Sequence, residues 1–347
     1  MNGLIVKYIL VKRIRIINYL RSQIYRLRKK IWPKLVILCY HRVNNYKADP
    51  VNITVSKKNF KKQIEILKTH AQIIHPNELF DRLENRKDFP KRSVLLTFDD
   101  GYSSYQSTMQ TLLDNSISAI FFITTTEIKF WWDILSTRLL EPKTISDSDY
   151  KIFGEIINML GKDFRIEKKI DEESQIKVLK WKITDNTILL NRLKAFQLIV
   201  EELKKNNYSL KNKIISIIND MSHNRRNFSY LSNKKFTSYH TIGAHCINHY
   251  DLSKLSYEDQ KNEIEGSKAK LESIIDGKVD TFAYPFGMRY NYNNNSINLV
   301  KNNYKYGFSN FEGLVHKDSN IFELPRFLVR DWTDTEFKYK INKFFDN

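Results

Sequence analysis

Apolar and polar positions change rhythm along this chain, and the changes separate strands from helices. Short, almost wholly apolar runs stand at 35–40, 94–98 and 119–124. Runs of this length, bounded by polar turns, read as strands buried on both faces. Between them the period is helical. Phe60, Ile64 and Leu67 recur at i, i+4 and i+7, and a further helix is expected from about residue 103 to 114. Apolar strands resume at 241–245, 281–284 and 306–309. A helix opens near Ser256, where Ser256 and Asp259 have the spacing of a capping arrangement. This alternation predicts βαβ units, a parallel sheet and an α/β fold.

The alternation pauses over 129–239, a stretch rich in Lys, Asn, Ile and Leu. Leu189, Leu193, Phe196, Val200 and Leu203 keep an amphipathic helical spacing. The stretch therefore reads as a mainly helical insertion in an α/β domain. It begins at Phe130-Trp131-Trp132-Asp133, and its expected role is to shape a cleft or meet a partner. The expected division is a basic segment at 1–33, a barrel at 34–128 and 240–335, the insertion at 129–239 and a tail at 336–347.

Composition excludes several classes. Among 347 residues, 41% are hydrophobic, with 21 Phe, 19 Tyr and 5 Trp, which excludes a disordered chain. Two cysteines, Cys39 and Cys246, exclude a disulfide scaffold and fit a reducing compartment. The net charge of +18 is uneven, because residues 1–35 hold ten Lys or Arg and no acid. These basic residues interrupt every apolar run, so neither a signal h-region nor a membrane span is expected there. The expectation is a cytoplasmic protein, peripheral on an anionic membrane surface through residues 1–33. The alternative is that this segment packs on the protein or on a partner. Nothing resembles a nucleic-acid module.

Candidate chemistry gathers at the ends of the apolar runs. Asp99 and Asp100 close the second strand, and such a pair can divide metal binding from proton transfer. Asp-Asp-Gly is also an ordinary turn. His245 and His249, four apart, would share one helical face and chelate one ion, with Asp100 as third ligand. Phe282-Ala283-Tyr284-Pro285-Phe286-Gly287 ends a strand in a turn whose backbone N–H groups can face a cleft. His41 closes the first strand and is a candidate acid or base near neutral pH.

Taken in order, LCYHRV, LLTFDDGY, AIFFIT, IGAHCINHYDLSKLS, FAYPFG and ELPRF resemble the NodB-homology polysaccharide deacetylases, carbohydrate esterase family four, in the branch with an N-terminal Tyr-His motif. The resemblance runs from about Leu35 to Trp332, excluding the insertion. It implies a distorted (β/α) barrel and metal-dependent removal of an N-acetyl group from an amino sugar in a glycan or its precursor. It makes Asp99 the general base, His41 the general acid, and Asp100, His245 and His249 the ligands of a divalent metal, Zn²⁺ first. Tyr284, Phe286 and Arg326 are expected near the substrate or its oxyanion.

His316 superficially matches a C-terminal Leu-x-His motif, but His41 is preferred for its strand-end place. Ala283 stands where many members carry an Arg that orients the catalytic Asp, and Arg326 or Arg330 is the expected substitute. Cys246 stands where Thr or Ser is usual. The alternatives are a secreted deacetylase of a polymeric glycan and a degenerate carbohydrate-binding protein on the same fold.

Overall fold

A computed structural model describes residues 34–204, 208–222 and 225–346. The basic segment at 1–33, with its expected membrane role, lies outside the described residues. Among the described residues no helix is long and apolar enough to cross a membrane.

The strands are β1 (Leu35–Tyr40), β2 (Arg42–Val43), β3 (Thr54–Val55), β4 (Gln72–Ile73), β5 (Ser93–Phe98), β6 (Ile120–Ile123), β7 (Thr241–Ala244), β8 (Thr281–Ala283), β9 (Tyr306–Phe308) and β10 (Phe327–Leu328). The main sheet runs β10-β1-β5-β6-β7-β8-β9, with β4 beside the start of β5, and every pairing is parallel. A bridge from Phe308 to Leu324, just ahead of β10, links the two edges, so the sheet curls into an incomplete barrel.

Alternation along the strands explains why both faces are apolar. Val36, Leu38 and Tyr40 of β1 join one buried cluster with Val94, Leu96 and Phe98 of β5. Leu35, Ile37, Leu95, Ile120 and Phe122 belong to a separate cluster with Ala283 and Phe308.

Helices fill the connections. They are α1 (Lys57–His70), α2 (Pro76–Glu84), α3 (Tyr105–Asp114), α4 (Trp131–Leu135), α5 (Asp147–Met159), α6 (Glu172–Lys180), α7 (Asn191–Lys204), α8 (Tyr208–Asp220), α9 (Lys234–Thr237), α10 (Tyr257–Ile275), α11 (Asn294–Asn303) and α12 (Asp334–Asp346). Ser256 caps α10 by accepting from the Asp259 N–H at 3.1 Å, and its hydroxyl donates to the Asp259 carboxylate at 2.7 Å.

The stretch from α4 to α8 builds its own buried cluster around Phe153, Phe196, Trp181 and Ile214. Residues 226–240 instead rejoin the barrel, where Tyr230, Leu231 and Phe236 enter the main cluster. Residues read as a tail mostly form α12, which buries Phe337, Ile341 and Phe344.

Candidate active site

All the parallel strands end on one side of the sheet, and the candidate residues stand at those ends. β1 delivers His41, β5 delivers Asp99 and Asp100, and β7 delivers His245. The β1–β5 register pairs Tyr40 with Phe98, so His41 comes beside Asp99. The Asp99 N–H donates to the Tyr40 carbonyl at 2.9 Å. His316 has no such place. It follows Val315, which bridges Leu35 at the opposite end of β1, and it is exposed.

Asp99 and Asp100 are adjacent, yet both reach the same buried space because the chain turns between them. Asp100 has φ 84° and Gly101 φ 76°. A left-handed non-glycine residue at such a place is strained by ~1–3 kcal/mol and needs outside support. Arg226 supplies it. Its guanidinium donates to the carbonyls of Asp100 and Gly101 and, at 3.0 Å, to that of Thr124 at the end of β6. A Cβ at Gly101 would lie 2.8 Å from Ile123 Cγ2, so the turn requires glycine twice over.

The two histidines do not lie on a helix, which corrects the reasoning from their spacing. They belong to a loop after β7 in which Cys246 and His249 both take left-handed conformations, φ 62° and 59°. Buried Glu263 of α10 holds this loop. Its carboxylate accepts from the N–H groups of Ile247 and Asn248 at 2.9 and 2.8 Å and from the Asn248 amide at 2.7 Å. Cys246 turns into the main apolar cluster and offers no ligand to the site.

The loop brings His245 Nε2 and His249 Nε2 to 3.5 and 3.3 Å from Asp100 Oδ1. His245 Nδ1 lies 2.7 Å from the Ala283 carbonyl, an acceptor only, so Nδ1 carries the proton and Nε2 presents its lone pair. Asp100 Oδ1 is buried and has no hydrogen-bond partner among the described residues. Burial lowers the pKa of His249, against the pull of Asp100. Burial also opposes ionisation of Asp100, but the neighbouring imidazoles, when they carry the extra proton, hold its carboxyl well below the usual range.

The His245 lone pair and the Asp100 oxygen repel at this distance unless a cation stands between them. Ligand atoms ~2.0–2.1 Å from a tetrahedral ion are about 3.3 Å apart, which these separations match. The residues therefore fit a divalent metal, and the Ala283 carbonyl is the outer partner that orients His245. Phe130, Trp132 and Phe286 pack their rings edge-on against His249, at centroid distances of 5.7, 5.3 and 4.6 Å.

Asp99 is held differently. Arg326 donates Nη1 to Oδ1 and Nη2 to Oδ2, both at 2.7 Å. Nη1 also donates to Thr97 Oγ1 at 3.1 Å and Nε to the Ser309 carbonyl at 2.6 Å. Burial pushes the Asp99 carboxyl up, but Arg326 first, with His245 and His41, outweighs it and the group stays below the ordinary range. Cys39, His41 and Asp99 also cluster closely, yet Asp99 is committed to Arg326, and burial pushes the Cys39 thiol well up, away from the thiolate that binds metals.

Two expected substrate contacts are corrected. Arg326 is fully buried behind Asp99 and orients it. Tyr284 is also buried, stacked on Tyr292, with its hydroxyl donating to the Phe322 carbonyl at 3.1 Å. Phe286 does line the open cleft. Arg330 donates to the carbonyl of Asn52 and takes no part at Asp99.

The start of the insertion is anchored here too. Buried Arg42, next to His41, donates to Asp49 at 2.6 Å and to Asp133. Burial pushes the Asp133 carboxyl up to about 6, against the pull of Arg42.

The sequence model of the polysaccharide deacetylase family matches residues 86–145 and 219–307. The matched segments contain Asp99, Asp100, His245 and His249, while His41 and Arg326 lie outside them. The chain thus carries the sequence signature of a polysaccharide deacetylase domain over these two segments, a family of carbohydrate N-deacetylases.

Among solved structures, it resembles the deacetylase PplD of Streptococcus pyogenes, in complex with acetate, at TM-score 0.54 and 17% identity, over 89% of this chain and 98% of that one. It resembles IcaB from Ammonifex degensii at TM-score 0.51 and 17% identity, over 91% and 98%. A polysaccharide deacetylase from Bacillus cereus matches at TM-score 0.52 and 16% identity, over 89% and 69%. At these identities the likeness establishes the fold, a curled parallel sheet with surrounding helices. Comparison with curated proteins gives no match.

Proposed function

We propose that the chain removes the acetyl group from an N-acetylated amino sugar by metal-dependent hydrolysis, with Asp99 as base and His41 as acid. The observation that carries this is the pairing of an Arg-held carboxylate with three converging donors at one rim of the sheet. Asp100, His245 and His249 would hold the ion, and a two-His, one-carboxylate set suits Zn²⁺. Such an ion, when bound, activates a water and polarises the amide carbonyl.

The chain's own groups do the rest. Arg326 donates to each Asp99 oxygen and the Cys39 thiol donates to Oδ2 at 3.5 Å, which leaves a lone pair on Oδ1, so Asp99 stays ionised and oriented to take a proton from the attacking water. His41 gives a proton to the departing amine. Burial lowers the His41 pKa, against the pull of Asp100 and Asp99, so the ring is mostly neutral at rest and, once it carries a proton, gives it up readily. Water adds to the carbonyl carbon, the C–N bond breaks, and acetate and a free amino sugar leave. Phe130, Trp132 and Phe286 exclude bulk water around His249.

The test is to load the full chain with Zn²⁺ and assay acetate from a panel of free, oligomeric, nucleotide-linked and lipid-linked N-acetyl amino sugars. Acetate from at least one, abolished by a chelator and restored by metal, supports the reading. Acetate release that persists without metal, or none from any member, rejects it.

The basic residues of segment 1–33 motivate a further part of this proposal, attachment to an anionic membrane surface. Co-sedimentation with anionic and neutral vesicles, with and without residues 1–33, tests that part. Binding that ignores either the lipid charge or the segment rejects it.

A further inference from the structure

The cleft at the donor cluster extends well past the strand ends and encloses about 690 Å³. It has two chemically different halves. Near His245 and His249 it offers Asn248, Asn291, Asn310, Trp131 and Phe286, amides and rings suited to a sugar. Under the inserted helices the lining is mostly aliphatic, with Ile183, with Val200 and Leu203 from α7 and with Ile215 from α8 beside the single amide of Asn219, joined by Ile53 and Leu328 from the barrel. The aliphatic side chains offer a sugar no hydrogen bond. Burying hydroxyls against them would leave the hydroxyls unsatisfied.

Charge marks the junction. Lys129, Lys211 and Lys254 line the cleft. Apart from Asp99 and Asp100, the acid lining it is Asp251. Asp251 already accepts from the Asn291 amide at 2.9 Å and the Ser253 hydroxyl at 2.6 Å, and lies 3.5 Å from Lys254. Lys211 is half-buried on α8 beside aliphatic Ile215. Its burial and the nearby Lys254 charge both lower its pKa, a cost that an anion would relieve.

We infer that the acetylated sugar reaches this site joined through phosphate to an apolar chain, the phosphate at Lys211 and Lys254 and the chain along the inserted helices. This deepens the proposed function and rests on it for the sugar half alone. A polymeric glycan would use neither the aliphatic lining nor the cations. A nucleotide-linked sugar would share the phosphate and lack the chain.

The probe is octyl phosphate, titrated calorimetrically into the metal-loaded full chain, beside inorganic phosphate, octanol, a nucleotide diphosphate and a soluble N-acetylglucosamine oligomer. Octyl phosphate should bind on the order of 100-fold tighter than inorganic phosphate, because only it buries an alkyl chain. It should also bind more tightly than octanol or the nucleotide. Ile215→Asp and Lys211→Glu, each checked for metal content and thermal transition, should weaken it by about 10-fold or more. Lys211→Glu keeps the test intact if Ile215→Asp fails to fold. Equal binding of octyl phosphate and inorganic phosphate, tighter binding of the oligomer or nucleotide, or undiminished binding in the folded variants would overturn the inference. These readouts need no acetate, so absent turnover with intact octyl phosphate binding would count against the deacetylase mechanism alone.

Discussion

Arg326 meets Asp99 with two parallel hydrogen bonds of 2.7 Å, across 227 positions of sequence. Ala283 stands where the resemblance placed an orienting Arg, and Arg326 restores that function from the segment ahead of β10. A Lys there keeps the charge and loses the fork. Arg326→Lys should retain metal and lower turnover by about 10²-fold, since a small misplacement of a catalytic group costs that much. Parallel metal analysis and acetate kinetics check it. Unchanged turnover would mean that Asp99 needs no such orientation.

The donor cluster predicts where metal is lost. His249→Ala and Asp100→Ala should each abolish stoichiometric Zn²⁺ binding at neutral pH. Ala283 contributes only its carbonyl to His245, so Ala283→Ser should leave metal content intact. Equilibrium dialysis with metal analysis decides between these outcomes and a site elsewhere.

Glu263 touches no ligand side chain, yet it ties down the loop between the two histidines with three hydrogen bonds. Glu263→Ala should weaken metal affinity by about 10–100-fold, the usual cost of losing an outer-shell support. Competition with a chromophoric chelator measures it. An unaltered affinity would show that the loop holds its shape without the carboxylate.

His240 gives the fold a pH dependence separate from the site. Burial lowers its pKa from 6.5 to about 4, and its Nε2 lies 3.1 Å from the Met109 carbonyl. The folded state favours the neutral ring, so this stability is complete above pH 6.5 and is lost as pH falls toward 4. The loss amounts to up to about 3 kcal/mol. Denaturant midpoints across this range should fall more steeply for the natural chain than for His240→Phe. Parallel curves would remove His240 from the account.

The sequence made these strand ends legible because the apolar runs of β1, β5 and β7 stop directly at a chemical residue. His41, Asp99, Asp100 and His245 could be placed for that reason. The reasoning about His245 and His249 reached the right neighbours by the wrong geometry. A loop with two left-handed residues does what a helical face was expected to do. Tyr284 misled because the chain stays extended through it, its N–H donating to the Phe308 carbonyl at 3.0 Å, and turns only at Phe286. Arg226 and Glu263 were invisible. Each acts on backbone atoms of a distant segment, and no spacing or period records such a contact.

The central claim is that Asp99 is the base beside a metal held by Asp100, His245 and His249. Acetate release by metal-loaded Asp99→Asn, measured with its metal content on the substrate that the panel selects, tests it most directly. The account predicts full metal occupancy with turnover down by about 10²–10⁴-fold. Near-normal turnover, or loss of the metal along with activity, would contradict it.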